Sequence, residues 1–172
     1  VLRERFYREV EVLRRLRSPR IVSVLGCGSA DGRLFYAMEL LDGESLAARI
    51  AAWREDGGGG PERCRRAGEI AIDICAALDL VHAQGIVHRD VKPSNVLIVR
   101  SGEAKLIDFG LARDESAVTL TEAGAMVGTL AYMSPEQVLG ERRRIDRRSD
   151  VYGVGATLYE ALTLRPPFEG DE

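Results

Sequence analysis

Between residues 86 and 108 the sequence reads IVHRDVKPSNVLIVRSGEAKLID, and no other stretch limits the fold as tightly. Two short runs rich in Val, Ile and Leu flank Ser101-Gly102, a pair suited to a tight turn, so residues 95–108 predict a β-hairpin. Ahead of it a His, an Arg, an Asp, a Lys and an Asn are crowded between two apolar runs, which implies a polar loop presented by ordered flanks. With Ser101 and Gly102 as the turn, Arg100 falls opposite Glu103, Val99 opposite Ala104 and Asn95 opposite Asp108. Opposed residues project from one face with Cβ atoms about 5 Å apart. An amide oxygen and a carboxylate therefore converge at the open end of the hairpin. Hard oxygen donors of this kind suit Mg²⁺, which takes one or two protein oxygens and fills its shell with water and phosphate. The register alone leaves two readings open, a metal site and a polar hairpin mouth that holds no ion.

The remaining elements follow from periodicity and punctuation. Leu2, Phe6, Val10, Leu13 and Leu16 line one face of an amphipathic helix that Ser18-Pro19 stops. Strand-like runs at 21–25 and 33–40 are joined by GCGSADG, in which Asp31-Gly32 is a strong turn pair, so a second hairpin is expected. Its glycines are spaced GxGxxxG and precede a strand, whereas a dinucleotide-binding loop requires GxGxxG before a helix; the reading is a plain turn. A short helix is expected over 46–53, then a glycine-rich surface break at 57–60 with Pro61. The helix predicted over 62–83 buries Ile70, Ile74, Leu78 and Val81 and ends at Gly85. A last helix begins near Ser149-Asp150, presents Val151, Val154, Leu158 and Leu162 on one side, and cannot pass Pro166-Pro167.

Composition excludes several classes. A net charge of −3 argues against a bulk electrostatic grip on nucleic acid or an anionic membrane. RRRIDRR (142–148) is interrupted and flanked by Asp146, Glu141 and Asp150, and reads as a solvated loop. Three cysteines in neither a disulfide count nor a metal spacing fit reduced thiols and a cytoplasmic setting. No apolar run approaches the roughly 18 residues of a membrane span, so no membrane contact is expected from this segment. The length, 172 residues, suits one soluble domain.

His88-Arg89-Asp90 with Asn95 five residues later, then Asp108-Phe109-Gly110, then Ser134-Pro135-Glu136, resemble in order and separation the motifs of the eukaryotic-like (bacterial-type) serine/threonine protein kinase catalytic domain. The likeness extends to SDVYGVGATLYEALTLRPPF, similar to that family's central buried helix, and to FYREVEVLRRLRSPRIV, similar to its regulatory helix and the strand after it. It implies an α+β protein-kinase-like fold: a partial small lobe over 1–38, a hinge over 39–41, and an incomplete, mainly helical large lobe over 42–172. The resemblance assigns Asp90 to the proton of the substrate hydroxyl and Lys92 to the charge on the transferred phosphoryl group. It assigns Asn95 and Asp108 to Mg²⁺ on the phosphates of ATP. Met38 resembles the residue at the back of the adenine pocket, Glu39 and Leu41 the hinge, and Leu97 the floor beneath the ring. His88 and Phe109, with Leu13 and Val24, resemble the apolar stack that links the lobes.

Regulation is implied on the same grounds. Arg89 suits a phosphothreonine, with Thr119 and Thr121 as candidates, while Thr129 resembles the residue that bonds near Asp90 and Lys92. Glu9 aligns with a glutamate whose partner in the family is a small-lobe lysine. The expected partners are protein substrates with Ser or Thr and a second kinase molecule that phosphorylates the activation loop. The family's glycine-rich loop and that lysine would precede the helix at 2–16, and further helices would follow residue 172. The chain is therefore expected to be the core of a larger kinase, one that a segment outside this chain could anchor to a membrane, and to be inactive or weak in isolation. The alternative is a kinase-like binding or scaffold module without catalysis; a small-molecule phosphotransferase of related fold stands third.

Overall fold

The computed structural model describes residues 2–57, 60–109 and 130–168. Helix α1 (Leu2–Arg15) buries Phe6, Val10 and Leu13, the stripe expected from their spacing. It packs on β1 (Val24–Ala30), which pairs antiparallel with β2 (Arg33–Met38). Asp31 and Gly32 both have positive φ (49° and 75°), the requirement of a two-residue hairpin turn that matches strand twist.

The strand bounds differ from the expected 21–25 and 33–40. Strand β1 starts at Val24 and continues through the glycine-rich segment to the turn. Residues 20–22 instead tie to the second sheet: the Val22 N–H donates to the Leu106 carbonyl (3.2 Å) and the Leu106 N–H to the Arg20 carbonyl (2.9 Å).

That second sheet holds β3 (Gly43–Ser45), β4 (Val96–Val99) and β5 (Ala104–Leu106), all antiparallel. Helix α2 (Leu46–Glu55) begins where the Ser45 hydroxyl accepts from the Ala48 N–H at 3.1 Å. Helix α3 (Gly60–His82) carries Pro61 in its first turn and buries Ile70, Ile74, Leu78 and Val81 as expected. Beyond a short helix α4 (Pro135–Val138), helix α5 (Arg147–Thr163) packs along α3. Mixed helices and small sheets, with the helices concentrated toward the C-terminal side, make the α+β arrangement expected from the sequence.

One local expectation fails and another holds only in part. The hairpin pairs Val96 with Leu106, Leu97 with Lys105 and Ile98 with Ala104, one residue out from the expected register. The Val99 N–H donates to the Glu103 carbonyl (3.0 Å) and the Gly102 N–H to the Val99 carbonyl (2.8 Å), so Arg100, Ser101 and Gly102 form a three-residue loop. Gly102 at φ 97° supplies the positive φ that closes it. Asn95 consequently faces Ile107, whose N–H donates to the Asn95 carbonyl at 2.9 Å, and not Asp108. On α5 the buried residues include Ser149, Asp150, Gly153, Thr157 and Glu160, while Val151 is 64% exposed and Leu158 and Leu162 are half-buried. Of the expected stripe Val154 is buried and Leu158 and Leu162 pack against the core, so only Val151 departs from it; the buried side of the helix also receives polar groups and backbone.

Candidate active site

The polar loop is positioned from both ends. Gly85 (φ 72°) stops α3, with its N–H donating to the His82 carbonyl at 2.9 Å. Ile86 and Val91 then anchor the chain in the core on either side of residues 88–90. A 3-10 turn (Pro93–Asn95) leads into β4.

The centre of this arrangement is Asp150, in the first turn of α5 and 1% exposed. Its Oδ2 accepts from the His88 N–H at 2.8 Å and from His82 Nε2 at 2.7 Å, and its Oδ1 from the Arg89 N–H at 2.7 Å. A carboxylate has no proton to give, so His82 must donate through Nε2. Three donors around one buried carboxylate offset its loss of hydration. They also hold Arg89 at φ 67°, a conformation costly for a residue with a side chain. From the other side, Gln137 Nε2 donates to the Arg89 carbonyl at 2.8 Å. Gly153 allows the close approach, because a Cβ there would lie 2.9 Å from both Cβ and O of Val91.

His88 is fully buried, and burial pushes its pKa below the ordinary histidine range. In the neutral form the network sets Nε2 as donor to the Ile107 carbonyl (3.1 Å) and Nδ1 as acceptor from the Asp90 N–H (3.3 Å). Its ring lies 4.7 Å from that of Phe109. His88 thus braces the loop against the end of the hairpin.

On this frame Asp90, Lys92 and Asn95 come together. Asp90 Oδ2 lies 3.1 Å from Lys92 Nζ and accepts from Asn95 Nδ2 at 2.9 Å. The same Nδ2 donates to the Asp90 carbonyl at 2.8 Å. With its nitrogen committed to Asp90, the Asn95 amide offers its oxygen as the end for a cation. Asp108 has φ 52°, which breaks the strand alternation after Ile107, and its side chain is exposed. Its Oδ1 accepts from the Tyr36 hydroxyl at 2.8 Å; burial, then this bond, raise the Tyr36 pKa and keep the phenol protonated. The described residues include no group of three His, Cys, Asp or Glu arranged for a metal. One amide oxygen and one exposed carboxylate nevertheless fit Mg²⁺, which needs few protein oxygens.

The other candidates are placed as follows. Met38 ends β2 at 40% exposure, Leu41 is half-buried, and Leu97 is half-buried in the middle sheet strand. Glu39 turns its carboxylate inward, where Oε1 accepts from the Ser23 N–H and Lys105 Nζ, each at 2.9 Å. The Lys105 ammonium holds that carboxyl below its usual range. Glu9 is half-buried on α1. Thr119, Thr121 and Thr129 lie outside the described residues. The sequence reading missed Asp150, Tyr36 and Gln137. Asp150 looked like any acid favoured in a helix's first turn, and only its three-dimensional partners distinguish it.

The Protein kinase domain family model matches residues 2–172. The chain belongs to the protein kinase family. This kinase chain is 43% identical over 175 residues to the probable serine/threonine-protein kinase CE0033 of Corynebacterium efficiens, with 98% of the chain and 25% of that protein covered. It is 41% identical over 171 residues to serine/threonine-protein kinase PknD of Mycobacterium tuberculosis, covering 99% and 24%. Among solved structures it superposes on Rad53 in complex with AMP-PNP with a TM-score of 0.74, at 33% identity over 98% of this chain and 40% of that one. The kinase domain of PknI from Mycobacterium tuberculosis gives 0.72 at 30% identity, covering 98% and 59%. The resemblance is thus to serine/threonine kinases of bacterial type, and the chain spans about a quarter of the length of the curated relatives it matches. Among the described residues no helix is long and apolar enough to cross a membrane.

Proposed function

We propose that this chain is the core of a serine/threonine protein kinase, which transfers the γ-phosphate of ATP to hydroxyls of protein substrates. The observation that carries the reading is the Asp90, Lys92 and Asn95 cluster on a loop fixed by buried Asp150. Asp90 accepts the hydrogen bond of the incoming hydroxyl and orients its lone pair at phosphorus. Lys92, held beside it, neutralises charge on the transferred group. Asn95 and Asp108 would hold Mg²⁺, which when bound draws charge from the phosphate oxygens. Little covalent chemistry is asked of the protein; position and electrostatics supply the rate.

In the same reading, residues 1–38 belong to the small lobe, 39–41 to the hinge and 42–172 to the large lobe. Met38 backs the adenine site, the backbone at Glu39 and Leu41 pairs with the base, and Leu97 lies beneath it. The inward turn of the Glu39 side chain supports a backbone role there. Arg89, Thr119, Thr121, Thr129 and Glu9 are proposed as regulatory, with phosphorylation of the activation loop by a second kinase molecule.

The test is Mg²⁺- and ATP-dependent labelling of a generic protein substrate by the full gene product, followed by phosphoamino-acid analysis. Phosphoserine or phosphothreonine is expected. Label confined to tyrosine, or none under conditions where the protein is folded and binds nucleotide, would contradict it.

A further inference from the structure

Two polar contacts of matching spacing join the end of β2 to the exit of the β4–β5 hairpin. Glu39 Oε1 accepts from Lys105 Nζ at 2.9 Å, and the Tyr36 hydroxyl donates to Asp108 Oδ1 at 2.8 Å across 72 residues of sequence. The first pair, with the Ser23 N–H on the same Glu39 oxygen, fixes where the strand end lies. The second bears on the candidate metal site.

Tyr36 is half-buried, packed against the core, and stands opposite Cys27 in the two-stranded sheet, so its ring is set by packing and by the ladder. Asp108 is in the opposite situation. It is exposed and lies at φ 52° beyond the last pair of the hairpin, Val96 with Leu106, where a short carboxylate side chain samples several rotamers unless a partner holds it. The phenol is that partner. A carboxylate has about four lone-pair sites on its two oxygens, so a neutral donor on Oδ1 leaves Oδ2 for a cation and adds no competing charge. We propose that Tyr36 is a positioning residue of the metal site, its hydroxyl holding the Asp108 carboxylate in one rotamer for Mg²⁺. The role of Tyr36 rests on the reading of Asp108 as a Mg²⁺ ligand and names the group that orients it. Carboxylates that bind metals are commonly held by such outer hydrogen bonds, whose loss costs about 10–100-fold in metal affinity or activity.

The probe is Mn²⁺, a hard cation that takes the same oxygen ligands and whose unbound fraction is read from its paramagnetic resonance signal. It is titrated into the full gene product saturated with ADP, as wild type, Tyr36→Phe and Tyr159→Phe. Tyr36→Phe keeps the ring and removes only the hydroxyl, so the fold is expected to persist, which melting curves verify. Mn²⁺ affinity should fall about tenfold, the low end of the range for an outer hydrogen bond, while ADP affinity measured in EDTA stays unchanged; a merely structural role would move both. In steady-state phosphoryl transfer the Mg²⁺ concentration for half-maximal rate should rise by a similar factor, with the rate at saturating Mg²⁺ near wild type. Tyr159, 47% exposed on α5, supplies the control, and its variant should leave every value unchanged. Equal Mn²⁺ affinity in wild type and Tyr36→Phe, or a parallel fall in metal-free ADP affinity, would overturn the role of Tyr36 and leave the kinase reading intact. Tighter Mn²⁺ binding in Tyr36→Phe would mark a contact that blocks the site and overturn it as well. Wild-type protein that binds no more Mn²⁺ than ADP does alone would overturn the metal reading of Asp108 and the role of Tyr36 with it.

Discussion

Replacing Asp150 by Asn changes one atom of the carboxylate and tests whether a buried acceptor, rather than packing, sets the polar loop. The amide keeps one acceptor oxygen. Turned one way, it retains the bonds from His88 N–H and His82 Nε2 and sets an NH₂ against the Arg89 N–H; turned the other way, it loses two bonds. The first orientation is the cheaper. It costs one hydrogen bond to a charged group, about 1.5–3 kcal/mol, and leaves a donor facing a donor. The total should be about 2–4 kcal/mol, a large share of a domain's usual 5–15 kcal/mol. The lost anchor is at Arg89, which has a φ of 67° and whose carbonyl still accepts from Gln137, and Arg89 immediately precedes Asp90. Turnover should therefore fall about 10–100-fold through misplacement of Asp90, with a smaller change in the KM for ATP. Urea unfolding gives the first quantity and steady-state kinetics of the full gene product the second. A stability change below about 0.5 kcal/mol, the level of an ordinary surface substitution, with unchanged turnover would refute the reasoning.

Three further outcomes follow from the same geometry. Gly153→Ala puts a Cβ 2.9 Å from Val91, so it should destabilise by about 1–3 kcal/mol through overpacking and lower turnover more than nucleotide affinity; denaturation and kinetics together check this. Gly102→Ala forces a side chain onto φ 97° and should cost about 1–3 kcal/mol in urea unfolding while leaving turnover within about twofold; a neutral result would count against the three-residue loop. The Glu39 pKa is depressed in the fold, chiefly by its bond with Lys105. The stability from this pair is full above the unfolded carboxyl pKa of about 4.3 and is lost as pH falls through the lower folded value. Lys105→Met should thus lower stability by up to about 1 kcal/mol at neutral pH, a figure discounted for partial exposure, and the gap from wild type should close below about pH 4. Denaturation curves at several pH values measure it.

Helices α1 and α3 were legible because their buried stripes are aliphatic and hydrophobic burial is what periodicity reports. Helix α5 was only half legible. Its buried face carries Ser149, Asp150, Gly153, Thr157 and Glu160 because it receives the backbone of residues 88–91 and the side chains of Arg54 and Tyr132. The register of the β4–β5 hairpin turned on whether the loop held two residues or three, a choice fixed by the conformation of Gly102 and not by composition. The motif residues Asp90, Lys92 and Asn95 were legible and do meet, but opposition of Asn95 and Asp108 across the hairpin is not how the site is arranged. Tyr36 could not be singled out, since an aromatic residue in a strand is ordinary core chemistry until its hydroxyl is seen on Asp108.

The measurement closest to the central claim is single-turnover phosphoryl transfer by the full gene product with Asp90 intact and as Asp90→Asn, at saturating Mg²⁺ and ATP, with folding verified by the melting curve. Asn keeps the size of Asp90 and can still meet Lys92, yet it lacks the charge that orients a hydroxyl. The account predicts a rate loss of about 10²–10⁴-fold with nucleotide binding changed little. Comparable rates in the two proteins would contradict it and leave the cluster at Asp90 as a structural feature of the loop.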